Sequence, residues 1–306
     1  MRVPEIKLWA GEPDDRGEIT REFLIADVFT SEPLEGNQLG IFPDGRGLDD
    51  DLMLKATREM NFSESVFFLP PSAGEAGHSS NADAHVRIFT PGGEIPFAGH
   101  PTLGSAWVLG DILGRDTVTV KTAAGLVPVE LERENGTITF GRMSQPIPAW
   151  APCHMTEELI EALGAPQRPD GLPVETYTNG PVNVYVEFPG EEALRALEPD
   201  MQKLSRIPLN ASCFTQSKTG WVTRMFAPSL GVPEDPATGS AAGPLAVHLA
   251  RHGRIEFGEE IEILQGAQVR RPSVLYARAE GSGDTIEKVV VGGRAVVVAH
   301  GVYRLA

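Results

Sequence analysis

The fold of this chain is decided by the stretch RIFTP at residues 87–91, which returns 137 residues later as RMFAP at residues 224–228. The tripeptide Gly-Ser-Ala follows both copies, at residues 104–106 and at residues 239–241, with a displacement of 135. Solenoid repeats have periods of roughly 20–50 residues, so a spacing of this length predicts duplication of a whole domain.

Each copy continues through the same series: a strand, a proline-containing loop, an acidic residue, a turn rich in Gly, Thr and Ser, and an apolar helix. The acidic residues are Glu94 and the pair Glu234-Asp235, and the predicted helices cover Leu103–Leu113 and Ser240–Arg251. Strand-like patterns follow the two helices, at residues 118–120, 126–130, 261–264 and 274–279. The sequence therefore predicts an α+β protein of two similar domains, with their boundary near residues 142–145.

Length and composition set the class of protein. The chain has 306 residues, of which 41% are hydrophobic, enough for a sizeable core and two domains. Its 26 Lys+Arg and 42 Asp+Glu give a formal net charge of −16, and no basic stripe interrupts the acidity, so we expect no binding to nucleic acid. Two cysteines do not make a disulfide framework.

We also expect a cytoplasmic protein that does not bind membranes. The first 18 residues contain charges throughout and no apolar segment of a secretory signal. The longest apolar stretches, such as residues 95–110, contain Pro, Gly and His and fall short of a membrane span. Residues 1–21 show little apolar periodicity and are predicted to be a poorly packed extension.

The two glycine-rich turns carry the strongest functional signal. They read Gly-His-Pro-Thr at residues 99–102 and Ala-Thr-Gly-Ser at residues 237–240, each where a strand leads into a helix. Backbone N–H groups at the start of a helix, together with the helix dipole, bind anions. We expect the paired turns to hold a small carboxylate in a cleft between the two domains, where pockets preferentially lie. The alternative is close helix–strand packing without any ligand.

Three ionisable residues near these turns are candidates for proton transfer. Glu64 precedes the apolar residues 65–69, so we expect partial desolvation to raise the pKa of its carboxylate and suit it to moving protons. His100 and Asp235 lie in equivalent turns of the two halves, and the side chains of both can exchange protons. The alternatives are an ordinary ion-paired or capping Glu64, a histidine satisfied within its loop, and an aspartate that caps a helix.

Other motifs are weak. His248 and His252 have the i, i+4 spacing of a shared metal site, but no HExxH pattern accompanies them, and we predict no metal. The sequence also lacks a Walker A loop, a GxGxxG motif after a strand, a CxxC motif and a GxSxG elbow. Nucleotide binding, zinc binding and serine hydrolysis therefore have no support.

Between residues 27 and 301 the chain contains the following stretches: DVFTSEPLEGNQLGIF, NFSESVFFL, RIFTPGGEIPFAGHPTLGSA, MSQP, RMFAPSLGVPEDPATGSAAGPL, QGAQVRRPS and VVVGGRAVVVAHG. Taken together, they resemble the phenazine-biosynthesis F protein (PhzF-like) family of isomerases, which has the diaminopimelate-epimerase-like fold. PFAGHPTLG followed by EDPATGSA is the most specific combination.

The resemblance implies two pseudo-symmetric domains, each a mixed, barrel-like sheet around a central helix. The first domain would cover residues 22–142 and a return of the chain at about 293–306, and the second would cover residues 143–292. The resemblance also implies a homodimer and a reaction without a cofactor.

Residue roles follow from the same resemblance, position by position. Glu64 matches the family's catalytic acid/base, His100 and Asp235 match residues that orient the substrate and assist proton transfer, and Gly239 and Ser240 match the turn that binds the substrate carboxylate. By the internal symmetry, we extend the carboxylate-binding role to Gly99.

The cysteines distinguish this chain from related racemases. Diaminopimelate epimerases and proline racemases use one cysteine from each glycine-rich turn as a pair of bases. Here residues 97–100 and 236–239 contain no thiol, and Cys153 and Cys213 lie outside both motifs. The residues therefore argue against a thiol-based racemase and leave a carboxylate with an imidazole.

The predicted activity is movement of a proton between carbons of a small cyclic amino or hydroxy carboxylic acid. The family's founding reaction is isomerisation of trans-2,3-dihydro-3-hydroxyanthranilate. Two alternatives stay open: an isomerase or epimerase of another small acid, and a non-catalytic small-molecule-binding or regulatory protein that kept the fold.

Overall fold

The structure is a computed structural model that describes residues 3–9, 19–71, 81–165 and 171–305. The chain divides into two compact units. The first unit takes residues 1–34, 38–143 and 293–306, and the second takes residues 35–37 and 144–292. Within the described residues, no helix is long and apolar enough to cross a membrane.

The first half of the chain alternates strands with two helices. Its strands are β1 (Thr20–Val28), β2 (Asn37–Phe42), β3 (Glu64–Leu69), β4 (Ala84–Thr90), β5 (Gly93–Ile95), β6 (Thr117–Thr122), β7 (Gly125–Glu134) and β8 (Thr137–Gln145). Its helices are α1 (Asp50–Met60) and α2 (Gly99–Leu113).

In the described part of the second half, this mixture is repeated with four helices, three of which are short. Its strands are β9 (Ala149–Pro152), β10 (Glu175–Thr178), β11 (Val182–Glu187), β12 (Asn210–Gln216), β13 (Trp221–Ala227), β14 (Val232–Asp235), β15 (Glu260–Gln265), β16 (Ser273–Ser282), β17 (Thr285–Gly293) and β18 (Ala295–Arg304). Its helices are α3 (Thr156–Ala162), α4 (Glu191–Arg195), α5 (Met201–Leu204) and α6 (Gly239–Arg251), with a 3₁₀ turn at Pro228–Leu230.

Helix α2 is the buried centre of the first unit. Its residues from Gly99 to Gly110 are buried without interruption, so the helix is enclosed on all sides instead of presenting a polar face. Small residues make this possible: a Cβ on Gly104 would lie 2.6 Å from Leu39 Cδ2 and 2.9 Å from Val28 Cγ2. The predicted central helix is confirmed.

Helix α6 has the same place in the second unit. Its residues from Gly239 to Ala250 are all buried. A Cβ on Gly243 would lie 2.7 Å from Val289 Cγ1, so glycine again permits close packing around the helix. The mixed α+β class and the enclosed helix of each half are thus as predicted.

The RIFTP and RMFAP stretches form the same structure in both units. Arg87 lies on β4 and binds Glu94 of β5 through Nε and Nη2, at 2.8 Å and 2.5 Å. Arg224 lies on β13 and binds Glu234 of β14 through the same two atoms, at 3.0 Å and 2.9 Å. Each guanidinium also covers the phenylalanine two residues further on, at 5.1 Å and 4.9 Å from the ring centroid. The duplication therefore extends to side-chain contacts.

The structure corrects the alignment of the two copies after these pairs. Helix α2 begins at Gly99 and helix α6 at Gly239, which are 140 residues apart, because the Arg224–Glu234 connection includes the 3₁₀ turn Pro228–Leu230. Gly104 therefore lies inside α2 and is not the counterpart of Gly239.

Within these equivalent turns, His100 and Asp235 occupy different positions for the same reason. The counterpart of His100 is Ser240, since each is the second residue of its helix. Asp235 instead matches Ile95: Ile95 pairs with Ile88, and Asp235 pairs with Met225 of the second copy.

The two ends of the chain pack on the first unit. Strand β18 pairs antiparallel with β1 from Thr20 to Val28, and both strands belong to the first unit. Residues 3–9 also contact this unit, since the Val3 backbone N–H donates to Asp111 Oδ2 at 2.9 Å and the Ile6 side chain is buried. Residues 10–18 of the predicted extension lie outside the described residues.

Candidate active site

Glu64 occupies the first position of β3, as its sequence context indicated. The strand runs parallel to β2, with Glu64 opposite Leu39, and the four residues that follow Glu64 are fully buried. The Glu64 side chain is 14% exposed, and its Oε2 atom is buried at the end of the apolar strand.

His100 faces this carboxylate within the first unit. Its Nε2 lies 3.6 Å from Glu64 Oε2, and the ring is buried at the start of α2. Burial lowers the pKa of His100 to about 3, while a hydrogen bond from the ring to the Gln38 carbonyl acts weakly in the opposite direction. The imidazole is therefore neutral near pH 7.

The neutral ring has one donor nitrogen and one acceptor nitrogen. Because a carbonyl only accepts, the proton belongs on the nitrogen that faces Gln38, and Nε2 then presents its lone pair to Glu64. This arrangement suits a carboxyl group that alternates between charged and protonated forms, since a protonated Glu64 can donate to Nε2.

Gly99 precedes His100 at the first position of α2. The preceding N-cap residue, Ala98, makes no side-chain hydrogen bond to the helix. The start of a helix carries a partial positive charge, so this end of α2 favours an anionic group.

Asp235 is buried in the second unit at the last position of β14. Its Oδ1 accepts a hydrogen bond from Asn37 Nδ2 at 2.8 Å, and its Oδ2 accepts one from the Thr238 hydroxyl at 2.6 Å. Each carboxylate oxygen therefore has a fixed donor.

Gly239 and Ser240 begin α6 just beyond this carboxylate. The N-cap residue is Thr238, whose side chain does not cap the helix; its hydroxyl donates to Asp235 and accepts from Gln265. The carbonyls of Gly239 and Ser240 accept from Gln145 Nε2 at 2.8 Å and from Asn179 Nδ2 at 2.9 Å. The first turn of α6 is thus held by buried amide side chains.

The candidates consequently fall into two groups. The structure brings Glu64, His100 and Gly99 together in the first unit and Asp235, Gly239 and Ser240 together in the second.

Sequence reasoning missed the residues that hold Asp235. Asn37, Thr238 and Gln265 surround it, and all three lie in stretches already singled out, EGNQ, EDPATGSA and QGAQVRRPS. No local pattern distinguishes them, because each lies among other polar and small residues and becomes buried only in the folded chain.

In the structure, His248 and His252 lie next to a third potential ligand residue. Glu175 lies beside them, and the potential ligand atoms of the three lie within 4.8 Å of one another. They nevertheless converge on an oxygen atom, because Glu175 Oε2 lies 3.2 Å from His248 Nδ1, 3.1 Å from His252 Nε2 and 2.9 Å from Arg251 Nη1. A guanidinium already supplies the cation, so this cluster does not fit a metal site.

The two cysteines lie away from the candidate residues along the chain. Cys213 is fully buried on β12, and burial raises the pKa of its thiol well above the ordinary value. Such a thiol is a structural side chain and not a nucleophile.

The family model for phenazine biosynthesis-like proteins (PhzC-PhzF) matches residues 26–301. A trans-2,3-dihydro-3-hydroxyanthranilate isomerase of Pseudomonas fluorescens is 45% identical over 280 residues, which cover 91% of this chain and 98% of the relative.

Two solved structures share the fold. A PhzF-family phenazine biosynthesis protein of Bacillus anthracis has a TM-score of 0.78 at 24% identity, with 93% of this chain and 99% of that chain covered. A predicted epimerase from Pseudomonas aeruginosa has a TM-score of 0.76 at 32% identity, with 92% and 98% covered.

Proposed function

Because the chain belongs to the phenazine biosynthesis-like family, we propose that it is an isomerase that converts trans-2,3-dihydro-3-hydroxyanthranilate to its ketone tautomer. The observation that carries this proposal is the pair of Glu64 and neutral His100, 3.6 Å apart at the end of an apolar strand. This pair provides an acid/base group without a thiol.

In the proposed mechanism, Glu64 acts as the base and then as the acid. Its carboxylate removes a proton from one ring carbon, the electron pair of that C–H bond moves into the conjugated system, and Glu64 returns the proton to a second carbon. While Glu64 is protonated, His100 Nε2 accepts a hydrogen bond from it and keeps the proton in place.

The remaining candidates bind and orient the substrate in this proposal. Asp235 accepts a hydrogen bond from the amino or hydroxyl group, and the N–H groups at Gly99, Gly239 and Ser240 bind the carboxylate. The proposal includes a small carboxylate substrate held between the two domains, a reaction without a cofactor, a homodimer and a cytoplasmic location.

The substitution Glu64→Gln tests the catalytic role. We expect it to lower kcat by about 10²- to 10⁴-fold, the usual contribution of general acid–base catalysis, with little change in KM because the amide keeps the shape of the carboxylate. The measurement is the rate of substrate conversion in D₂O, with deuterium incorporation monitored by NMR. Exposed Glu130 of the same unit offers a matched control, and Glu130→Gln should behave as the wild type.

Three results would count against the proposal in different ways. Full activity of Glu64→Gln would remove Glu64 from the mechanism. Deuterium exchange at the α-carbon of another amino acid, with no conversion of the dihydroanthranilate, would identify an epimerase instead. No exchange with any cyclic or α-amino acid would favour a binding protein.

A further inference from the structure

Residues 35–37 form a short segment that packs with the second unit, although residues 34 and 38 on either side belong to the first. Arg271 holds it: its Nε donates to the Gly36 carbonyl at 2.9 Å and its Nη2 to the Glu35 carbonyl at 2.6 Å. The Gly36 N–H donates to the Pro272 carbonyl at 3.0 Å, and Gly36 has a φ of 67°, which favours glycine. The backbone before Asn37 is therefore fixed.

Asn37 uses its amide nitrogen to hold the end of β14. Its Nδ2 donates to Asp235 Oδ1 and to the Ala237 carbonyl, both at 2.8 Å. Both hydrogens of the amide nitrogen are thus used, and the side chain is buried. This geometry defines which end of the amide faces Asp235, because a carbonyl oxygen there would repel both acceptors.

Gln265 orients the donor on the other side of the carboxylate. Its Nε2 donates to the Asp235 carbonyl at 2.8 Å and to Thr238 Oγ1 at 3.0 Å. Since Thr238 accepts from Gln265, its own hydroxyl proton is directed to Asp235 Oδ2. Gln265 is fixed in turn, because its Oε1 accepts from the Thr223 hydroxyl at 3.1 Å.

We propose that Asn37 is a positioning residue of the isomerase, which holds the Asp235 carboxylate in the one orientation that can receive the amino or hydroxyl group of the substrate. The inference rests on the proposed function. Asp235 Oδ1 takes its direction from the Asn37 donor, and Oδ2 takes its direction from the Thr238 hydroxyl. Without the Asn37 donor, Oδ1 loses its fixed direction.

Two substitutions separate positioning from packing. Asn37→Ala removes the donor, and we expect kcat/KM to fall about 10- to 100-fold, the range for a lost hydrogen bond to a charged group. Asn37→Asp keeps the shape but places a second carboxylate against Asp235. It should be impaired at pH 8 and recover as the pH falls to 6, because one shared proton then restores a hydrogen bond between the two groups. The ratio of the Asn37→Asp rate to the wild-type rate should therefore rise towards acid, whereas the Asn37→Ala ratio should stay level.

Asn210 offers the matched control, since it is also a buried asparagine of the second unit and its amide faces Asn183. Asn210→Asp should show no recovery towards acid in its ratio to the wild-type rate. Each rate is corrected for the folded fraction by circular dichroism, and Asn37→Ala provides the kinetic test where Asn37→Asp does not fold.

The outcomes distinguish this inference from the proposed function. An active wild type together with unchanged kcat and KM in Asn37→Ala, or a level pH ratio in a folded Asn37→Asp, would overturn the positioning role alone. A wild type that leaves the dihydroanthranilate unchanged would refute the proposed substrate, and the Asn37 comparison is then made with the small acid that exchanges deuterium.

Discussion

His100, the proposed partner of Glu64 in proton transfer, is also a buried residue that affects stability. The folded state keeps its ring neutral, with a pKa of about 3, whereas the unfolded chain exposes it at an ordinary pKa of 6.5. Between pH 3 and pH 6.5 the His100 ring binds a proton in the unfolded state but not in the folded state. The stability that depends on a neutral His100 is therefore present above pH 6.5 and is lost as the pH falls towards 3.

We predict that the free energy of unfolding falls on acidification by about 1.4 kcal/mol for each pH unit below 6.5 on account of His100. Urea denaturation at pH 7.5 and 5.5 measures this, and His100→Gln should show a smaller fall than the wild type. Exposed His154 provides the control, because His154→Gln also removes a histidine but leaves the burial of His100 unchanged. An equal fall in the wild type and His100→Gln would contradict the prediction.

At this scale the sequence identified Glu64 and His100, and the structure places them 3.6 Å apart. It could not identify Asn37 as the partner of Asp235, because 198 residues separate them and nothing local to either one specifies the hydrogen bond. The neutral state of His100 is equally a property of the folded molecule, since burial by distant segments is its main cause.

At the scale of elements, local interactions explain the start of helix α1 better than the start of helix α2. Asp49 accepts from the Leu52 N–H at 2.8 Å and caps α1, and Asp50 and Asp51 lie in its first turn. The predicted start of α2 at Leu103 is wrong by four residues, because Gly99 and Pro101 are typical of loops. Both residues are compatible with the first turn of a helix, and burial in the first unit provides the stability that local propensity does not.

Helix α6 is held at its other end by the cluster around Glu175. Arg251 is the last residue of the helix; its Nη1 binds Glu175 Oε2 at 2.9 Å and its guanidinium lies 4.1 Å from the Trp150 ring centroid. The hydrogen bonds of His248, His252 and Tyr177 and the charge of Arg251 hold the pKa of Glu175 well below its ordinary value, against the effect of burial.

We predict that Arg251→Met destabilises the protein by about 3 kcal/mol, because it leaves a buried carboxylate without its cation. Arg195 of helix α4 is the control, since it pairs with Glu191 in the same unit and the two side chains are 63% and 36% exposed. Arg195→Met should cost less than about 1 kcal/mol. The two losses are compared by urea denaturation at pH 7.5, and equal losses would show that the Glu175 cluster contributes no more than a surface pair.

At the scale of the whole molecule, both units contain the same Arg–Glu ion pair, but the pair is more buried in the second unit. The Arg87–Glu94 and Arg224–Glu234 pairs have the same two-point geometry between equivalent strands. In the first unit the arginine and glutamate side chains are 18% and 38% exposed, whereas in the second they are 7% and 11% exposed. Arg224 Nη1 also donates to the carbonyl of Leu194, which lies in helix α4, and to the carbonyl of Leu197, which follows that helix.

The same substitution should therefore have different costs in the two halves. Arg224→Met removes the donors of two buried carbonyls and the cation beside Glu234, and we expect a loss of about 3 kcal/mol. Arg87→Met removes a more exposed pair, for which water can substitute, and we expect a loss of about 1 kcal/mol. Urea denaturation of the two variants gives the comparison. Equal losses would mean that the pair itself, and not its burial, determines its contribution in both units.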